Sequence, residues 1–387
     1  MKNLIKLLSL FTVTGLLLAS CEGPMGPAGE NGIAGIDANE SCTQCHTNNQ
    51  IITAKMAQWA ASTHATGGNS ERNAYDCAPC HTSQGFLEVN AAGGFISGPG
   101  LIAASGTVSN PNQQNCYTCH DIHNTFTDDD WDLTKTAATV ASHSIDGTTP
   151  VSVDLGKANM CTGCHQGRAL DYVLDLADNS TTITAESYRW GIHHGPQYNL
   201  VIGKGLYEFE GSEDYSESEN HITAKTTNAC VDCHMGEAYG TQAGGHTMNV
   251  GYEYHEALVP NLPASCETCH EPDSDMDLGD ILADLQDEVT IMLDELRVAL
   301  ETAGVKKPDV PDNPATPEND PKIYNYIMYT GSGPSQVILP QTEMMLAAFT
   351  NFQAITEDRS LGMHNPAYIK TILANTTEAV IAVTPVK

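Results

Sequence analysis

Residues 230–235 read Cys-Val-Asp-Cys-His-Met, and the pattern Cys-x-x-Cys-His at their head recurs until it has used twelve of the chain's 13 cysteines. The six copies are Cys42, Cys45 and His46; Cys77, Cys80 and His81; Cys116, Cys119 and His120; Cys161, Cys164 and His165; Cys230, Cys233 and His234; and Cys266, Cys269 and His270. From the frequencies of 13 Cys and 15 His, a shuffled chain of 387 residues would contain only about 0.02 copies. The repetition therefore needs a chemical cause.

Side chains three residues apart on a helical turn share a face, where two thiols can reach the two vinyl groups of one haem. The histidine that follows then turns its imidazole toward the iron, and the pattern is read as a c-type haem attachment. Thioether bonds hold the porphyrin with little apolar pocket around it, which permits many haems in a small chain. A zinc site does not require His after every second Cys. A thioredoxin-like dithiol occurs once, beside a βαβ pattern, and a disulfide framework leaves the repeated His unexplained. The expected cofactor is six covalently bound haem c.

The thirteenth cysteine is Cys21. Lys2 and Lys6 form a short positive region, 7–18 is an apolar stretch with one Gly, and Leu18-Ala19-Ser20-Cys21 resembles the lipobox of bacterial lipoproteins. The segment is too short for a transmembrane helix and reads as a signal. Residues 1–20 are thus expected to be a lipoprotein signal peptide and Cys21 the lipidated residue. The lipid would anchor the chain outside the cytoplasm, at the outer membrane on its periplasmic or cell-surface side. Gly23, Gly26, Gly29, Gly32 and Gly35 follow at three-residue spacing, with Pro24 and Pro27 after two of them. This Gly-X-Y run makes 21–38 an anchor and collagen-like stalk, with too few triplets and prolines to stabilise a triple helix strongly.

A formal charge of −31, from 48 acidic and 17 basic residues, would repel phosphate backbones and anionic lipid surfaces. Nucleic acid is excluded as a partner. Cationic proteins, metal ions and oxidised mineral surfaces are compatible, and the acidity also keeps a haem-laden chain soluble.

The motif starts are 35, 39, 45, 69 and 36 residues apart, so there is no solenoid period. The expected fold is mainly α with extensive loops, a multihaem cytochrome c architecture organised around stacked haems with a C-terminal helical region. The hexahaem domain is placed at 39–275 and the helical region at 276–387. Within the latter, Ile281, Leu282, Leu285, Val289, Met292, Leu293 and Leu296 recur at helical spacing and predict a long helix over 278–303. Five prolines mark 306–322 as a linker, and helices are predicted over 341–356 and 366–377.

What fills the sixth position of each iron decides between wire and enzyme. Nine histidines lie outside the motifs: His64, His123, His143, His193, His194, His221, His246, His255 and His364. They suffice for six bis-histidine irons. Methionine is the weaker candidate, because most of the 12 sit in the signal or at packing positions.

Four stretches resemble the multihaem cytochrome c superfamily that includes ammonia-forming nitrite reductases, hydroxylamine oxidoreductases and their electron-transfer relatives. They are Trp59-Ala-Ala-Ser-Thr-His64-Ala; His193-His194-Gly-Pro-Gln197; Cys230-Val-Asp-Cys233-His234-Met235 with Gly245-His246-Thr247; and Asp358-Arg-Ser-Leu-Gly-Met-His364-Asn-Pro366. The resemblance implies that His64, His193, His246 and His364 are distal ligands of haems bound elsewhere in the chain. His123 and His143 are the next choices on position alone, with His194, His221 and His255 as alternates.

The departures bear on function. Nitrite reductases of that group commonly carry Lys in place of His at the catalytic haem, and every motif here ends in His. None of the 14 Tyr matches the haem-linked tyrosine of the hydroxylamine oxidoreductases. Bis-histidine iron offers no vacant site to a small substrate and favours outer-sphere transfer at lower potential than Met ligation. The expected function is electron transfer from a membrane-associated donor to redox partner proteins or an extracellular acceptor, without a catalytic residue. The alternatives are an oxidoreductase with one open-site haem acting on a small nitrogen or sulfur compound, and a homo-oligomeric or filamentous cytochrome.

Overall fold

A computed structural model of the chain describes residues 50–67, 69–93, 105–140, 151–167, 173–185, 187, 190–192, 195–215, 222, 226–255, 257–261, 278–308, 326–331 and 335–384. The chain divides into two units, Met1–Asn49 and Gln50–Lys387, and every described residue belongs to the second. The signal, Cys21, the stalk, Cys42, Cys45 and His46 lie outside the described residues. So do Cys266, Cys269, His270, His143, His193, His194, His221 and most of the 306–322 linker.

Among the described residues, the helices of two turns or more are α1 (Gln50–Ala60), α2 (Ser83–Ala91), α3 (Leu278–Thr302), α4 (Glu343–Asp358) and α5 (Pro366–Val383). Strands are short and antiparallel: Thr182–Ile183 with Gln341–Thr342, Gly251–Tyr254 with Ala257–Pro260, and Tyr329–Thr330 with Val337–Ile338. The described fold is therefore helical with extensive loops and a C-terminal helical region. No helix among the described residues is long and apolar enough to cross a membrane.

The three C-terminal helices pack on one another. Helix α3 presents Val289, Leu296, Ala299 and Leu300 as its buried stripe and stops where Gly304 takes φ +77°. There the Gly304 N–H donates to Glu301 C=O at 3.1 Å and the Val305 N–H to Leu300 C=O at 2.9 Å, a Schellman cap that favours glycine. Helix α4 is buried on all sides from Met344 to Ile355 and forms the centre of the core. Its start is capped by Thr342, whose Oγ1 accepts from the Met345 N–H. Helix α5 begins with Pro366 after the Asn365 cap, where a missing N–H costs nothing.

This core also takes in Leu174, Trp190, Ile192, Leu200, Leu206, Tyr207 and Phe209 from the preceding third of the chain. Buried asparagines make the junction. Asn351 Oδ1 accepts from the Tyr207 N–H at 2.8 Å, and its Nδ2 donates to Tyr207 C=O at 2.8 Å and Thr376 Oγ1 at 2.9 Å. Asn375 grips Phe209 C=O and both backbone groups of Glu213 in the same manner. Asn351→Ala would strand two buried backbone groups, so a loss of about 2–6 kcal/mol is expected in urea unfolding, at about 1–3 kcal/mol per orphaned group.

Upstream, apolar packing among the described residues is thin. Leu155, Ala158, Tyr198, Val201 and Ala229 form one small cluster and Phe86, Val89 and Met160 another.

At the start of α4 a turn contributes to acid stability. Asp178 C=O accepts from the Met344 N–H, while its Oδ1 accepts from the Ser180 N–H and Oγ and from the Thr181 N–H. Bonds from Thr181, then Ser180, hold this carboxyl well below the usual range. The depressed folded value means that the contribution is complete above the ordinary carboxylate value of about 4 and is lost as pH falls below it. Asp178→Asn is expected to lower the melting temperature at pH 6 and to flatten its decline between about pH 4 and pH 2.

Candidate haem sites

Four of the six motifs fall among the described residues, and each is folded as a short helical turn. One-turn helices cover Ala78–His81, Cys116–Cys119, Asn159–Thr162 and Cys230–His234. The N–H of His81, His120 and His165 donates to the carbonyl of the first Cys of its own motif at 3.1, 2.9 and 3.0 Å. Each such bond stacks the histidine over the first thiol, as i,i+4 geometry requires.

The motif thiols adjoin one another. The Cys230 thiol is pushed up first by its hydrogen bond to Cys161, and the same bond pulls Cys161 down. The Cys164 thiol is raised first by Cys80 and then by burial, and its Sγ is 3.7 Å from Pro79 C=O. Burial, with Cys116, pushes Cys119 up to about 11.

Six of the histidines come in close pairs. His64 and His165 have ring centroids 6.1 Å apart with their planes at 76°. His120 and His246 stand 6.3 Å apart at 31°, as do His234 and His364. Two imidazoles bound through Nε2 to one metal at about 2.0–2.1 Å, with ring centres about 1.1 Å behind the nitrogens, would stand about 6.3 Å apart. Among the described residues no group of three His, Cys, Asp or Glu is disposed to hold a bare metal ion.

The other ring nitrogen is engaged in five of these six imidazoles. His120 Nδ1 meets Trp131 C=O at 2.8 Å, His234 Nδ1 meets Met248 C=O at 3.0 Å, and His165 Nδ1 meets Gln197 Oε1 at 3.2 Å. His364 Nδ1 is 2.5 Å from Asp358 Oδ1, and His64 Nδ1 is 2.8 Å from Met248 Sδ. An oxygen acceptor fixes the proton on Nδ1 and leaves the Nε2 lone pair for a metal. Burial, with His165, lowers His64 to about 4. Burial likewise lowers His246 to about 4, with Lys55 and His120 adding. Desolvation holds His165 and His234 below their ordinary values as well. The neutral imidazole is the form a metal binds.

Local structure positions each distal ring. Ser62 caps the turn that carries His64, and its Oγ donates to Trp59 C=O at 2.6 Å. Trp59 Nε1 donates to Gln114 C=O, and Gln114 Nε2 to Cys80 C=O. His246 lies in a 3-10 turn beside α1, with its N–H on Gln58 Oε1 at 3.1 Å. Gly244 precedes it at φ +67°, where a Cβ would come 2.3 Å from Glu237 C=O. His364 sits in the turn between α4 and α5; burial pulls its imidazole down, but the Asp358 carboxylate outweighs this and holds it above its ordinary value.

Of the remaining sequence candidates, His123 is exposed, with Nδ1 2.9 Å from Tyr117 Oη and its ring stacked on Phe126. The alternate His255 lies against Tyr254 with ring centroids 4.2 Å apart. His81 is half-buried at the end of its turn. Sequence reasoning did not assign roles to Asp358, Trp131, Gln197 or Met248. Two of these, Gln197 and Asp358, lie inside the stretches that carry the resemblance, yet no periodicity marks them as partners of an imidazole.

No family model matches the chain, and a search of curated proteins finds no match. Among solved structures, the chain is similar to the crystal structure of the outer cell wall cytochrome OcwA, with a TM-score of 0.45 and 17% sequence identity over 84% of this chain. The match covers 50% of that protein, so this chain spans about half its length.

Proposed function

We propose that this chain is an extracytoplasmic electron-transfer protein that binds six haem c groups, most of them between two imidazoles. The observation that carries this reading is the set of three imidazole pairs at 6.1–6.3 Å. Each joins a motif histidine to one that is 101, 126 or 130 residues distant in the chain. Engagement of Nδ1 and the lowered values of four of these rings support it, as does the fit of two thiols and an imidazole on each motif turn. Bound haem c supplies one-electron chemistry at its iron.

The chain's own side chains do the rest. Thiols would tether the porphyrin, and the paired imidazoles would hold its iron and leave no place for a small substrate. Carbonyl, amide and carboxylate acceptors fix ring orientation. The thin apolar packing upstream suits a region whose core is completed by stacked porphyrin faces, and the adjoining thiols suit short distances between them. For the other three irons the proposed distal ligands are His123, His143 and His193. Lipidation at Cys21 and the 21–38 stalk would hold the 39–275 haem region near a membrane-associated donor, at the outer membrane, with a periplasmic or extracellular acceptor. Low-temperature electron paramagnetic resonance of the oxidised protein is expected to show low-spin ferric signals only. A high-spin fraction worth one haem or more that binds nitrite or hydroxylamine would replace the carrier with an enzyme.

A further inference from the structure

The acceptors on the imidazoles differ in charge. Trp131 C=O, Met248 C=O, Gln197 Oε1 and Met248 Sδ are neutral. His364 alone among these rings meets a carboxylate: Asp358 is 3% exposed, its Oδ1 faces His364 Nδ1, and its Oδ2 accepts from Ser360 Oγ. An imidazole that donates to a carboxylate is a more basic ligand, closer to imidazolate, and favours the ferric state.

The opposite charge lies at the neighbouring centre. Lys135 is 5% exposed, and its Nζ donates to Ala137 C=O at 2.7 Å, Thr139 Oγ1 at 2.7 Å and Asn159 C=O at 2.8 Å. These oxygens are neutral, so they solvate the ammonium without cancelling it. The thiols of Cys164 and Cys161 are near enough to act on it electrostatically. Burial holds Lys135 down to about 8, and the three acceptors around Nζ match the three N–H groups of an ammonium. A buried cation next to a group that gains an electron stabilises the reduced state, and a buried anion destabilises it.

We propose that these two charges hold the potentials of adjoining centres apart, Asp358 lowering the one between His234 and His364, and Lys135 raising the one between His64 and His165. The inference rests on the reading that these pairs ligate haem iron. Because Leu155 and Ala158, just before Cys161, pack against Ala229 and Cys230, and the Lys157 N–H donates to Asn228 Oδ1 at 3.4 Å, the two centres are neighbours. One electron given up by the first and taken by the second balances without a proton or co-reactant, and that direction is downhill. Asp358 is a positioning residue, acting through His364.

The test is a redox titration of the full haem-loaded chain followed by electron paramagnetic resonance. Ring planes at 76° leave two iron d orbitals nearly degenerate and give a strongly anisotropic signal, whereas planes at 31° split them and give a rhombic one. The His64/His165 centre is thereby distinguished from the other two described pairs. With Asp358→Asn, the reduced-to-oxidised ratio of one rhombic component should rise at least tenfold at the wild-type midpoint, about 59 mV for one electron, while the anisotropic signal stays in place. With Lys135→Met, the ratio of the anisotropic component should fall at least about threefold, and Lys135→Arg, which keeps the charge, should restore it. Full haem loading with all components unmoved, or all moving together, would overturn this inference alone. Absence of haem at these motifs would overturn it together with the reading it rests on.

Discussion

In the haem-loaded protein, His246→Met is expected to raise the potential of one centre on the order of 0.1–0.2 V, a fraction of the roughly 0.8 V that axial ligands span. His246 faces His120 at 6.3 Å, and a thioether is a weaker donor to ferric iron than an imidazole. The turn that carries it leaves little freedom, since Gly244 and Gly245 pack on Glu237 and Gln58. The new side chain should therefore meet the same iron. Spectroelectrochemistry should resolve one component of six moving upward, with a thioether-to-iron absorption band to match. An unchanged titration would mean that His246 is not a ligand.

The second large effect is on stability. Phe349 is fully buried at the centre of α4, with Phe352 6.4 Å away between ring centroids. Phe349→Ala is expected to cost about 3–5 kcal/mol, a large part of the 5–15 kcal/mol that typically holds a domain. The urea midpoint should fall without a change in slope. Under native conditions the variant should keep its low-spin signals, because Phe349 belongs to the C-terminal core cluster, which contains none of the motif cysteines. Loss of those signals in a folded variant would show that the core and the centres are not separable in this way.

The motifs were legible because their chemistry is local: two thiols and an imidazole within five residues need only one helical turn. Helix α3 was legible for a similar reason, its apolar spacing giving 278–303 against the observed Leu278–Thr302. The start of α4 falls two residues later than the spacing predicts, because Gln341 and Thr342 pair with Ile183 and Thr182 and Thr342 serves as the cap. Helix α5 continues six residues past its predicted end at 377. Asn375 and Thr376, near that predicted end, are both buried and satisfied by Phe209, Glu213 and Asn351, so the helix runs on.

The pairing of distal rings was not legible. It joins segments more than a hundred residues apart, and no local pattern encodes which loop meets which motif. Nor was Asp358. A carboxylate at a helix C-terminus is unfavourable to the dipole, and its reason is apparent only once the following turn brings His364 back onto it.

The central claim is covalent attachment at every thiol pair, and it is tested most directly by a pyridine haemochrome assay on purified, quantified protein. Six haem c per chain is the expected result. A value markedly below six, with thiols still free to react at the motifs, would contradict it.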